Sequence, residues 1–242
     1  MDIAGELCCT SKTTAWRSIH RVMNALVHIS PRYIKYPQNL NRISALFQRT
    51  CGFPDVIGCI DGTHIPILVP MNDRSETFRC RKGYFSLNVQ MICGPDCTVY
   101  SVDSRWPGSA HDATIWSTSQ IKQDLSSTIP DKYHLLGDSA YLLSKTVLTP
   151  FKLPSSVFEA RYNKKHSATR MHIERTYGQI KRRFPLLVNG LRFKCVKDSA
   201  KCIVAIAVLH NICKKSLEYD PETIGSDDTM GSEKRNRIAA IL

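Results

Sequence analysis

Val56-Ile57-Gly58-Cys59-Ile60-Asp61-Gly62-Thr63-His64-Ile65-Pro66-Ile67-Leu68-Val69 is two apolar runs separated by one polar tetrad. Each run has the length and β-branched content of a buried strand, which predicts strands at 56–60 and 65–69 around Asp61-Gly62-Thr63-His64. A carboxylate held between two such runs is expected to be partly buried. Unpaired, it would cost on the order of several kcal/mol, so it needs donors, a cation or a metal. Gly62 and Thr63 beside it are small enough to let an ion or a substrate approach.

Outward from this stretch, residues 84–93 and 98–103 read as two further strands across the Gly94-Pro95-Asp96 turn. Trp106-Pro107-Gly108 breaks the chain, and 111–125 has helical character. Tyr133-His134-Leu135-Leu136 is a short strand ending at Gly137-Asp138-Ser139, so Asp138 repeats the strand-end carboxylate of Asp61. Helices are expected at 169–184 and 199–215. Hairpin strands followed by alternating helix and strand imply an α/β sheet with helices packed on it. At the other end, Ser11 is a plausible N-cap for a helix over 12–27. Trp16, Ile19, Val22, Met23 and Leu26 form its apolar face, and Lys12, Arg17, His20 and Arg21 its basic face. A short helix at 2–6 and a turn at 7–10 before it give the outline of a helix-turn-helix, expected to be partial because Met1 leaves no upstream helix.

The bulk properties narrow the class. A net charge of +12 over 242 residues points to a polyanionic partner. No apolar run reaches the roughly 18 residues of a membrane span, and the N-terminus lacks the pattern of a secretory signal, so no membrane partner is expected. None of the ten cysteines forms a C-x-x-C pair. Free thiols in a reducing compartment are the expectation, rather than zinc or disulfides.

Two more acids join Asp61 and Asp138. Glu174 borders the helical stripe Ile173, Tyr177, Ile180 and Phe184, with Arg170, Gly178 and Lys181 at spacings of three or four. Asp112 follows Gly108-Ser109-Ala110-His111 at the start of a helix, where it serves either as a dipole partner or as a ligand. Between residues 161 and 201 there are twelve Lys or Arg against two acids, Glu174 and Asp198, a surplus of ten. Lys181-Arg182-Arg183 lies on the helix of Glu174 and is the candidate contact to a phosphate backbone. Carboxylates drawn from distant positions suit hard divalent ions, and such ions suit phosphodiester hydrolysis by in-line attack of water. The four acids are expected to converge around one metal-sized space. His64 and His111, beside two of the acids, can contact phosphate, orient water, or simply close a core hydrogen bond.

Five blocks in order carry a family resemblance: Gly58-Cys59-Ile60-Asp61-Gly62-Thr63-His64; Arg81-Lys82-Gly83-Tyr84-Phe85-Ser86-Leu87-Asn88; Trp106-Pro107-Gly108-Ser109-Ala110-His111-Asp112; Leu136-Gly137-Asp138-Ser139-Ala140-Tyr141; and Ile173-Glu174-Arg175-Thr176 with Lys181-Arg182-Arg183-Phe184. Over about residues 55–213 the chain resembles the PIF/Harbinger group of DDE transposases and the host nucleases derived from them. The resemblance implies an RNase H-like mixed α/β sheet with flanking helices, preceded by the partial helix-turn-helix-like segment. It assigns catalytic roles to Asp61, Asp138 and Glu174, and metal ligation to these three and Asp112. The cofactor is then Mg or Mn, the substrate DNA, and the location the nucleus, possible cytoplasmic residence included. A Myb-like DNA-binding protein is the implied partner for mobilisation. The domains are expected at 1–37 (helix-turn-helix-like), 50–216 (endonuclease) and 217–242 (polar, flexible tail). The competing readings are a domesticated domain that binds DNA or a partner without cutting, and a Ser/His/Asp hydrolase at Gly137-Asp138-Ser139. The second lacks the G-x-S-x-G turn.

Overall fold

A computed structural model describes residues 10–71 and 75–217, with side chains to 215. The expected helix at 2–6, nearly all of the turn after it, and the tail from 218 lie outside the described residues.

The helices are α1 (Lys12–His28), α2 (Ser30–Tyr33), α3 (Leu40–Cys51), α4 (Asp112–Ser117), α5 (Gln120–Thr128), α6 (Val157–Arg183), α7 (Leu186–Asn189) and α8 (Val196–Leu217). The strands are β1 (Val56–Pro66), β2 (Ser86–Cys93), β3 (Val99–Pro107), β4 (His134–Leu136) and β5 (Val147–Leu148). They form one mixed sheet in the order β3-β2-β1-β4-β5. β1, β2 and β3 pair antiparallel, and β4 and β5 extend the sheet parallel to β1. This is the RNase H-like arrangement the sequence leads one to expect. The sheet, both cores and the polar groups described below belong to the compact unit ending at Asn211; of the unit that begins at Ile212, the described part is the end of α8.

β1 sends side chains to two cores, and the irregular pairing with β4 between Val56 and Gly58 breaks strict alternation at its start. Val56 and Cys59 join Phe47 of α3, Ile173, Tyr177 and Ile180 of α6, and Ile203 and Ala207 of α8. Ile57 and Ile60 join Trp116 of α4, Leu125 of α5, and Tyr133, Leu135 and Tyr141. Both faces are therefore covered, which is why β2 is buried at all eight positions.

Several boundaries differ from expectation. The two predicted strands around Asp61 are one strand of eleven residues. The polar tetrad does not interrupt it, because pairing with β2 runs on unbroken from Cys59↔Cys93 to Pro66↔Ser86. The helix predicted at 111–125 breaks at Thr118, and Ser119 caps a new one by accepting from the Lys122 N–H at 3.3 Å. α6 starts twelve residues earlier than its apolar stripe suggests, capped by Ser156. α3, not expected from the sequence, packs Leu40, Ile43 and Phe47 on the cores; Asn39 caps its start and Gly52, at φ 69°, ends it. α1 begins where Ser11 predicts, and Met23 is buried, but Trp16 and Val22 of its predicted apolar face remain 46% and 59% exposed.

Candidate active site

Parallel pairing of β1 with β4 stops at Cys59↔Leu136. Asp61 and Asp138 each lie just beyond that point, at the carboxyl ends of neighbouring parallel strands, where open α/β sheets leave room for a site. Asp61 is thus a mid-strand residue in its pairing with β2, yet a strand-end residue toward β4. Its side chain is 17% exposed; Oδ1 accepts the Gly62 N–H at 2.9 Å, and Oδ2 accepts from Arg170 Nη2 at 3.2 Å. Burial pushes the Asp61 carboxyl up to about 6, against the pull of Arg170 and with further upward pressure from Asp138 and Asp112. Asp61 is therefore within electrostatic reach of both Asp138 and Asp112.

Asp112 is the first residue of α4 and faces the sheet. Its Oδ1 accepts from Asn88 Nδ2 at 2.8 Å, and Asn88 also donates to the Ala110 carbonyl at 2.9 Å. A Cβ on Gly62 would overlap the Asp112 carboxylate, so glycine is what lets this acid reach β1. Asp138 turns its own loop: Oδ1 accepts the Ala140 N–H at 2.9 Å, and its carbonyl accepts the Tyr141 N–H at 3.2 Å. The Tyr141 hydroxyl is bonded by Gln90 Nε2 at 3.0 Å, and Gln90 also reaches the Asp112 carbonyl at 3.3 Å. A polar row on β2 thereby ties α4 to the Asp138 loop.

Glu174 stands apart. Its side chain is 59% exposed, and the Arg170 guanidinium sits between it and Asp61, 3.9 Å from Glu174 Oε1. The expected convergence of all four acids is not assembled in this conformation: among the described residues, no three of His, Cys, Asp and Glu are set to hold a metal ion as they stand. The physical reason is that Arg170 stands between Glu174 and Asp61 and pairs with the latter. Arg170 Nε is buried and without a hydrogen-bond partner, so the guanidinium is held there at a cost.

The basic triplet divides. Lys181 turns inward and donates to Thr63 Oγ1 at 2.7 Å; burial, with Lys82 nearby, holds its ammonium below the usual lysine range. Arg182 and Arg183 are exposed. His64 Nδ1 lies 3.1 Å from Ser86 Oγ, and burial lowers its imidazole from the ordinary value. His111 Nδ1 accepts from Arg81 Nη2 at 3.1 Å.

Sequence reasoning gave no role to Asn88, Gln90, Tyr141 or Arg81, although three of them lie in the blocks that carry the resemblance. A signal for two of them was present: Ser86, Asn88 and Gln90 alternate with Leu87, Val89 and Met91, which marks a polar row on one face of an otherwise apolar strand. Arg81 and Tyr141 carry no periodic signal, because their roles depend on loops.

The donor set is all oxygen, and a partly buried carboxylate already draws a guanidinium to itself. Oxygen donors of this kind are the chemistry that hard divalent cations take.

The model of the DDE superfamily endonucleases matches residues 60–211. The human and rat proteins called "Putative nuclease HARBI1" are each 33% identical over 230 residues, covering 93% of this chain and 65% of theirs. The Arabidopsis "Protein ALP1-like" is 25% identical over 232 residues, covering 88% of this chain and 56% of its own. The chain thus spans about two thirds or less of the length of these relatives. No solved structure matches it. The match to the endonuclease model over more than half of the chain shows that the chain belongs to the DDE superfamily endonucleases.

Proposed function

We propose that this chain is a divalent-metal-dependent nuclease that hydrolyses phosphodiester bonds in DNA, with Asp61, Asp138 and Glu174 as catalytic acids and Asp112 as a further metal ligand. The observation that supports this reading is the partly buried Asp61 carboxylate, which feels the charges of Asp138 and Asp112 and pairs with an arginine that also reaches toward Glu174. Bound Mg or Mn would supply charge stabilisation at phosphorus and activation of the attacking water. The chain's own part is to fix the acids. Asn88 orients the Asp112 carboxylate, the Ala140 N–H orients that of Asp138, and Gly62 lets Asp112 come close. A cation held by Asp61 would compete with Arg170 for that carboxylate and would leave the guanidinium available to phosphate. Arg182 and Arg183, on the last turn of the helix that bears Glu174, offer the backbone further cations. Such a substrate places the protein in the nucleus, and a Myb-like protein that selects the DNA site is the partner we propose.

Nicking of supercoiled plasmid in Mg²⁺ or Mn²⁺ is the test. Wild type should cut, and Asp61→Ala and Asp138→Ala should each lose roughly 100-fold or more, on the scale of removing a principal electrostatic group. Equal cutting by the variants would refute the acidic site. Salt-sensitive binding with no cutting in any metal would establish a binding protein instead.

A further inference from the structure

Next to the carboxylates lies a pocket of about 550 Å³ that the acids alone do not explain. His64, Arg81, Asn88, His111, Asp112 and Ala140 line it, so it runs from the Asp138 loop past Asp112 to a basic wall. Two of these side chains have structural duties: Asn88 holds Asp112, and His64 meets Ser86. Arg81 has no such duty.

The segment that presents Arg81 is built firmly. Arg79 bridges to Phe85, the Cys80 N–H donates to the Tyr84 carbonyl at 2.9 Å, and the Gly83 N–H donates to the Cys80 carbonyl at 2.9 Å. Gly83 takes φ 85°, which closes the turn, and Arg79 pins it by donating to the Gly83 carbonyl at 2.9 Å. Arg81 and Lys82 are left exposed at the tip. Arg79, Arg105 and Arg170 each face a carboxylate. Among the described residues none pairs with Arg81; its Nη2 donates to His111 Nδ1 instead. Arginine can only donate, so that ring nitrogen accepts, and the imidazole aims the guanidinium without neutralising it. A planar, uncompensated guanidinium at a pocket wall suits a phosphate, which it can bind through two parallel N–H···O bonds. Lys82 and Lys181 both act electrostatically on His64, so the positive field extends along this wall.

We propose that Arg81, braced by His111, seats a backbone phosphate of the bound nucleic-acid strand in this pocket, so that the strand runs from the basic wall past Asp112 to the carboxylates. The inference rests on the nucleic-acid reading above. Arg81 is a substrate-positioning residue and takes no part in bond breaking.

The test is fluorescence anisotropy of a short DNA duplex with the full chain in Ca²⁺, which allows binding to be read without depending on cleavage, over a salt series. Arg81→Ala should weaken binding about tenfold and lower the slope of log affinity against log salt by about one, the signature of one lost phosphate contact. Arg81→Lys should keep the slope but bind more weakly than wild type, since it retains the charge and loses the fork. Arg49→Ala, exposed on α3, should match wild type. Thermal melts establish that each variant is folded; a purely structural role for Arg81 would lower melting without moving the slope. If wild type binds and Arg81→Ala keeps its affinity and slope, the pocket assignment is wrong while the nucleic-acid reading stands. If wild type itself shows no salt-sensitive binding, the nucleic-acid reading falls and the pocket assignment with it.

Discussion

At the residue scale, Arg170 deserves the closest reading among the polar groups. Its guanidinium lies 3.2 Å from Asp61 and 3.9 Å from Glu174, two of the acids proposed to hold a cation. It would then compete with that cation as well as act as a counterion. Arg170→Gln should therefore tighten Mn²⁺ binding several-fold in calorimetry while lowering the melting temperature of the metal-free protein. A variant that melts lower but binds Mn²⁺ no better would make Arg170 a structural ion pair only. Which acid neighbours which basic residue was only half legible in the sequence. The register of Glu174 and Arg170, one helical turn apart, could be read directly. The approach of Arg170 to Asp61 could not, since it depends on how α6 crosses β1.

At the scale of elements, that crossing is fixed by Tyr177. Its hydroxyl donates to the Asp61 carbonyl at 2.6 Å, one turn beyond Glu174 on the buried face of α6. Tyr177→Phe keeps the apolar contact and loses the bond. We expect a loss of about 1–2 kcal/mol, or roughly 3–6 °C in melting temperature for a chain of this size. Activity should fall further than such a change in stability explains, because the bond sets the distance between Glu174 and Asp61; full activity at the lowered melting temperature would contradict this. Elements with a clear period were legible from sequence: β2, the hairpin to β3, α1 and the core half of α6. Those without one were not. The first turns of α6 expose Val157 and Phe158, so their pattern shows no buried stripe. α3 is the exception, unforeseen although Leu40, Ile43 and Phe47 recur at helical spacing. β1 was divided in two because a polar tetrad looks like a turn, whereas tertiary pairing with β2 keeps it extended.

At the scale of the whole molecule, burial of ionisable groups sets the response to pH. Burial lowers the imidazoles of His134, His166 and His172 from the ordinary 6.5. Below about 6.5 the unfolded chain binds protons that the folded chain resists, so stability is lost as the pH falls through that value. Asp61 acts with the opposite sign and lower on the scale: raised to about 6, its carboxyl favours the fold as it takes up a proton between about 6 and its ordinary 3.8. Melting temperature in metal-free buffer should therefore drop on acidification from about pH 8 to 6. A flat or rising profile over that range would show that these histidines are not held neutral by the fold. The surplus of positive charge between residues 161 and 201 falls mostly on α6, the helix that bears Glu174, with the rest at Arg192, Lys194 and the start of α8.

The central claim is that distant carboxylates form one divalent-metal site, and Mn²⁺ binding followed by electron paramagnetic resonance tests it without reference to any substrate. Wild type should remove free Mn²⁺ from solution, and Asp61→Asn, nearly unchanged in shape, should bind at least tenfold more weakly, in keeping with loss of a first ligand. Equal binding by Asp61→Asn and wild type, or no binding by folded wild type, would contradict the account.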